Sequence, residues 1–300
     1  LTVLVHSPAG ICQPSLGQRL QASIGGACHK LSREPLGMCG FLVIFLLVFC
    51  ALFAPWIAPY NPVTQDLQAA FLPPSWAHPA GTDEFGRDIL SRLIYGARIT
   101  ITIILAVSVI VGPIGLIVGT VSGFVGGRTD AILMRFTDIV LSFPALILAL
   151  AFAAALGAGL ETAVVAISLT GWPSIARLAR AEALIVRNTD YVSAARLYGA
   201  SPTRLLFLYI APMCVPSVIV RLTLNMAGII LTAASLGFLG LGAQPPAPEW
   251  GAMISSGRKF MLDSWWVAVM PGIAILLTSL AFNIVGDTLR DLLDPRHARS

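Results

Sequence analysis

Apolar residues run along this chain in long blocks separated by shorter polar connections, with no sustained period of two that would mark strands. A bilayer core needs roughly 20 consecutive apolar residues per helical crossing. About six stretches meet or approach that length: residues 37–57, 99–123, 139–156, 160–175, 213–241 and 267–285. The pattern predicts an all-α polytopic membrane protein. Only Gly157, Ala158 and Gly159 separate the third stretch from the fourth, which predicts a tight helical hairpin there. The organisation that follows is a tail (1–36), a first transmembrane helix (37–57), an outer segment (58–98), a five-helix core (99–285) and a second tail (286–300).

Lys and Arg set the orientation, because positive residues are retained on the cytoplasmic side. With the N-terminus inside, the inner segments hold Arg19, Lys30, Arg33, Arg128, Arg135, Arg177, Arg180, Arg187, Arg196, Arg204, Arg290, Arg296 and Arg299. The outer loops hold Arg87, Arg92, Arg98, Arg258 and Lys259. Both termini are therefore expected in the cytoplasm. Composition agrees with a lipid environment: 56% of residues are hydrophobic, 11% are charged, and mean hydropathy is +0.83. The net charge of +4 reads as topology, since no basic stripe interleaved with aromatics suggests nucleic acid. Cys12, Cys28, Cys39, Cys50 and Cys214 avoid the outer loops, so no disulfide is expected. The first 36 residues lack a basic region followed by an apolar run, which argues against a cleaved signal peptide.

The outer segment is rich in Pro and turn residues and then becomes amphipathic. Asp83 is placed to cap a helix on which Ile89, Leu90, Leu93 and Ile94 share a face, and that helix is expected to lie along the membrane surface. Asp83, Glu84 and Asp88 lack the calcium-loop pattern and read as capping and solvated residues. In the second stretch Gly115, Gly119, Gly123 and Gly127 recur every four residues, with Gly112 and Gly126 nearby. Such a ridge lets another helix approach closely in lipid. It suits either an intrachain contact or a partner subunit. After the fifth stretch, SLGFLGLGAQPPAPEWG predicts a helix end and a tight outer loop, while Trp250, Trp265 and Trp266 suit an interfacial aromatic belt.

Several chemistries are missing from the pattern. Lys30 and Lys259 both lack the glycines of a phosphate-cradling G-x-x-x-x-G-K-[ST] loop. His6, His29, His78 and His297 are scattered without metal-ligand spacing, and no G-x-S-x-G elbow occurs. Carboxylates that would relay ions lie at span ends: Asp138, Glu161 and Asp287. The interior polar residues are Arg221, Asn225 and Asn283. Arg221 can snorkel to the cytoplasmic interface or face an aqueous path; with Asn225 it is the candidate path or interface group.

Residues 188–212, NTDYVSAARLYGASPTRLLFLYIAP, form a polar connection far longer than the usual 2 to 8 residues between helices. Asp190 is placed to cap a helix from Tyr191 to Tyr198, and Gly199 to end it. Ser201 then caps a second helix with Pro202 in its first turn. The connection predicts a compact helical knob, with small residues at Ala194, Ala195 and Gly199 for close approach to a soluble partner.

This stretch resembles the cytoplasmic coupling loop of bacterial ABC importer permeases, whose pattern is E-A-A, a Gly four residues after the second Ala, then I-x-P. Ala194, Ala195, Gly199, Ile210 and Pro212 match, and Ser193 stands where the family has glutamate. FAPWIAPYNP, GTDEFGRDILSRLIYGARI, LGFLGLGAQPPAPEWGAMI and PGIAILLTSLAFNIVGDTLRDLLDPR are similar to the C-type permease subunit of the dipeptide, oligopeptide and nickel importers. Many members carry an acidic residue where this chain has Thr232 and Ala233.

The resemblance implies the type I ABC importer permease fold in a bacterial inner membrane, a second homologous permease subunit, two ATPase subunits and an extracytoplasmic solute-binding protein. It implies no cofactor in this chain, with ATP and Mg bound by the ATPases. Asp190, Tyr191, Ser193, Ala194, Ala195, Gly199, Ala200, Ser201 and Pro202 would then form the ATPase-coupling loop. Peptides are the implied solutes, with nickel or glutathione as alternatives within the family. An ion-coupled secondary transporter is the rival from another class, and the absence of intramembrane acid pairs counts against it.

Overall fold

The computed structural model describes residues 35–293, with side chains described to residue 291. Of the expected tails, 1–36 and 286–300, residues 1–34, with Cys12 and Cys28, and 294–300 lie outside the described residues, while 286–293 are not tail but continue the last helix, Trp266–Leu293. Among the described residues the architecture is a bundle of long helices without strands. Helix α1 (Pro35–Ile57) is apolar on all sides, as lipid permits. Its exposed side carries an aromatic ladder, Phe45, Phe49, Phe53 and Trp56. The opposite side rests on α2 (Ile89–Val125) and on the last helix, α9 (Trp266–Leu293).

Helix α2 has 37 residues, about 55 Å at 1.5 Å per residue, so it overshoots a bilayer core. The expected surface helix is in fact its first turns: α2 runs unbroken through the 98/99 boundary, and Ile89 and Ile94 are buried in the bundle. The cap is Asp88, whose Oδ2 accepts from Ser91 N at 2.8 Å and Ser91 Oγ at 2.7 Å. Asp83, the residue expected to cap, instead closes the preceding turn by accepting from Phe85 N, Arg87 N and Arg87 Nε.

Glycines 115, 119 and 123 on α2 face α5 (Leu160–Val186), and this is the most extensive helix pair in the bundle. A methyl added at Gly115 would lie 2.5 Å from Ile175 Cβ, and one at Gly123 2.7 Å from the Arg180 carbonyl oxygen. At Gly119 it would run into the carbonyl oxygen of Ala176. The close approach is therefore intrachain. Gly127, counted in the same ridge, leaves it: with φ near +57° it forms the turn after α2 and has open space where a Cβ would sit.

The third apolar stretch is broken rather than straight. Helices α3 (Gly127–Leu141) and α4 (Ala145–Leu156) meet at 87°. Pro144 supplies no N–H and keeps Phe143 out of helical geometry, so the helix ends there. Helix α3 carries Arg128, Asp130, Arg135 and Asp138 and packs against α2 and α5, with Phe136 stacked on Trp172 of α5, instead of continuing α4 in a straight span. The hairpin through Gly157–Gly159 then joins α4 to α5.

At the end of the bundle that carries the start of α2, Thr82 is fully buried. Its hydroxyl accepts from Leu72 N (2.8 Å) and donates to Ala69 O (2.5 Å), and its carbonyl accepts from Trp266 Nε1 (3.2 Å). Trp250 Nε1 donates to Leu93 O at 3.2 Å. Trp250 and Trp266 are thus 4% and 8% exposed; they are core residues and not the expected interfacial belt, which leaves Trp265 alone half exposed. The loop before α9 contains a further helix, α8 (Trp250–Gly257), capped by Glu249 through Gly251 N (2.8 Å) and Ala252 N (2.7 Å). Burial pushes the Glu249 carboxyl up, opposed by those two backbone bonds. Its carboxylate sits where a side chain on Gly237 would be.

Candidate coupling segment

Helix α5 continues 11 residues past the predicted end at 175, to Val186. Two arginines in this extension, with Arg187 just after it, hold the end of the bundle together. Arg180 Nε and Nη2 each lie 2.6 Å from a different oxygen of Asp130, and Ser122 Oγ donates to the same carboxylate. Arg177 Nη2 meets Asp138 Oδ1 at 2.6 Å, and Arg187 Nη1 donates to the Gly123 carbonyl at 2.7 Å. These arginines entered the sequence reading only as markers of sidedness; their pairing was missed, because the acidic partners are remote in sequence.

Beyond this clamp the chain turns through Asn188 and Thr189 into α6 (Asp190–Leu197). Thr189, extended at φ −77° and ψ 152°, holds the N-cap position, and its hydroxyl donates to Val186 O at 2.8 Å. Asp190, the expected cap, lies one residue later in the first turn, where its charge suits the positive end of the helix. At the far end Ala200 N donates to Ala195 O (3.1 Å) and Gly199 N to Arg196 O (3.0 Å), the paired bonds of a Schellman ending. Gly199 has φ +82° with open space around its Cβ position, so only conformation demands a glycine there.

Ser201 caps the next helix as expected, its Oγ accepting from Arg204 N at 3.4 Å with Pro202 behind it. That helix is not short. It runs on as α7 (Pro202–Phe238), 37 residues long, with a single π-helical stretch at Leu205–Ile210.

One face of α6 is buried: Val192 is 0% exposed and Ala195 packs beside it against Ala183, Val186, Leu205, Ile210 and Cys214. The other face carries Tyr191, Ala194, Leu197 and Tyr198, with Leu197 and Tyr198 88% and 93% exposed. Ser193 is exposed and Ala200 half-buried. The two alanines therefore divide: Ala195 anchors the helix and Ala194 faces outward. The exposed Leu197–Tyr198 pair escaped the sequence reading, although Val192 and Ala195 on the inner face at i and i+3 place it outside. Far along α7, Arg221 is exposed, and Asn225 Nδ2 donates to Ser174 Oγ on α5 at 3.3 Å.

Among the described residues no three His, Cys, Asp or Glu side chains assemble as a metal cluster, and Cys39, Cys50 and Cys214 are free thiols.

Residues 112–299 match the family described as binding-protein-dependent transport system inner membrane component, and residues 25–74 match the N-terminal TM domain of oligopeptide transport permease C. The chain is 48% identical over 266 residues to the probable D,D-dipeptide transport system permease protein DdpC of Escherichia coli, covering 89% of each. It is 48% identical over 264 residues to the di/tripeptide transport system permease protein DppC of Pseudomonas aeruginosa, covering 86% of this chain and 87% of the relative. Against the dipeptide transport system permease protein DppC of Escherichia coli the identity is 45% over 274 residues, or 89% and 91% of the two chains. With the helical bundle and its spans, these matches show that the chain belongs to the family of binding-protein-dependent transport system inner membrane components, the permease subunits of ABC importers.

Proposed function

We propose that this chain is the permease subunit of an ATP-driven importer of di- and oligopeptides, worked by ATPase subunits that grip α6. The relatives named above support the peptide reading. The coupling reading rests on one observation: a well-capped helix packs one face on the bundle and presents Leu197 and Tyr198 on the other with nothing in the described chain against them. A second homologous permease completes the pathway, and an extracytoplasmic binding protein delivers solute. ATP and Mg reside in the two ATPase subunits, and this chain performs no hydrolysis. The arginine-rich end, with α6 and both termini, faces the cytoplasm of a bacterial cell, in accord with positive-inside placement.

The packing supplies a transmission. Val192 and Ala195 are locked into a cluster with Val186 of α5 and Leu205, Ile210 and Cys214 of α7, so α6 cannot shift without pulling on two membrane-crossing helices. The π-helical stretch lies at that junction, a position where such irregularities often serve as hinges. ATPase closure then biases the bundle between two packings by differential contact with α6.

The test is reconstitution. Vesicles holding both permeases and both ATPases should take up dialanine only with ATP and the binding protein. This chain alone should take up none under a proton or sodium gradient; gradient-driven uptake by the single chain would overturn the reading.

A further inference from the structure

Along α7, Ser217, Arg221, Asn225, Gly228, Thr232 and Ser235 recur at steps of three and four. At 3.6 residues per turn these positions fall within an arc of roughly 80°, and from first to last they climb about 27 Å. That nearly equals the roughly 30 Å hydrocarbon thickness of a bilayer. Of the exposed apolar residues, Met213 and Leu231 lie about 40° outside this arc and Ile219 on the opposite side of the helix, so all three fall off the polar strip. A polar strip of this length on a membrane helix needs water or a polar partner.

Its side chains are left with capacity to spare. Arg221 is exposed and lies within ion-pair distance of no acid among the described residues. Glu182 of α5 accepts instead from Ser217 Oγ at 3.0 Å. Asn225 gives its amide N–H to Ser174, which leaves its carbonyl free to accept. Thr232 and Ser235 donate to their own helix at Gly228 O (2.8 Å) and Leu231 O (2.7 Å), so their oxygens remain as outward acceptors. A side chain added at Gly228 would meet nothing within 4 Å.

We propose that this face of α7 is a wall of the solute path and that Arg221 binds the free carboxylate of a short peptide in transit. A guanidinium is the one group on the strip able to take a carboxylate with two parallel N–H bonds, while the acceptors above it suit peptide N–H groups. The proposal rests on the peptide-permease reading above.

The test uses the assembled complex with all five native cysteines of this chain replaced. Single cysteines at Ser217, Thr232 and Ser235 are compared with Ile219 and Leu231 for reaction with a membrane-impermeant cationic thiosulfonate. Faster modification of the three polar-face positions, slowed by dialanine with binding protein, is expected; equal rates on both faces would overturn the wall assignment. Arg221→Gln should lower dialanine uptake about tenfold, the scale of one charged hydrogen-bonded contact, while Arg221→Lys retains most of it. ATPase co-purification should be unchanged in both. Undiminished uptake with Arg221→Gln, as a snorkelling side chain would give, or equal losses with Gln and Lys, would overturn the carboxylate role. If the parent complex takes up no dialanine, the peptide reading fails by itself, and the labelling pattern still decides whether this face is wet.

Discussion

Arg180 grips Asp130 with two nitrogens of one guanidinium, each 2.6 Å from its own carboxylate oxygen, across 50 residues of chain. The pair joins α3 to α5 at the end of the bundle that carries the candidate coupling segment. Its side chains are 34% and 21% exposed, so solvent screens it and its expected worth is about 1 kcal/mol. Thermal unfolding of the purified complex should show Arg180→Ala and Asp130→Ala each lowering the midpoint. The double variant should lose less than the sum of the two, and strict additivity would deny the coupling.

Gly119 is packed against the Ala176 carbonyl, so Gly119→Val should push α2 and α5 apart at a cost of at least about 1–3 kcal/mol, seen as lost folded protein in membranes. Gly228→Ala is the control. That site is open, and alanine favours a helix, so yield should hold or rise.

Gly199 is required for its positive φ and not for space. Gly199→Val should cost roughly 1–2 kcal/mol at the α6 ending and uncouple ATP hydrolysis from transport. Gly199→Asn, which tolerates the left-handed region, should retain coupling measurably better. Equal transport-to-ATP ratios in both variants would contradict a conformational role.

Glu249 uses both carboxylate oxygens on backbone N–H groups of α8. Glu249→Gln turns one acceptor into an N–H facing an N–H, and should destabilise by about 1–3 kcal/mol. The carboxyl pKa is raised on folding, so the folded chain holds this proton more tightly than the unfolded one. Its contribution is therefore full below the ordinary carboxylate value of about 4 and falls away as pH rises through the raised value. Denaturation measured across that window should lose this dependence in the Gln variant.

Five of the six spans were legible because lipid demands long apolar runs; the third, 139–156, proved to be the bent pair α3 and α4. Their ends were not. Helices α2 and α5 continue as helix past the apolar blocks, where composition no longer distinguishes a helix from a loop. The break at Pro144 had a local signal, the restriction on Phe143, which the surrounding apolar run outweighed in the reading. Trp250 and Trp266 were placed at the interface because their acceptors, Leu93 and Thr82, lie 157 and 184 residues away. The candidate coupling segment was legible in its Gly199 and Ser201 stops. Its outward Leu197–Tyr198 face needed the packing of Val192 and Ala195 to be seen.

The most direct measurement is a crosslink from the outer face of α6. With a single cysteine at Tyr198 in an otherwise cysteine-free chain, a short bifunctional thiol reagent should join it to an ATPase subunit carrying cysteines around its surface groove. The yield should change between the nucleotide-free and ATP-bound complexes. No product in either state, or a product formed only with the binding protein, would show that this helix is not where the motor holds the permease.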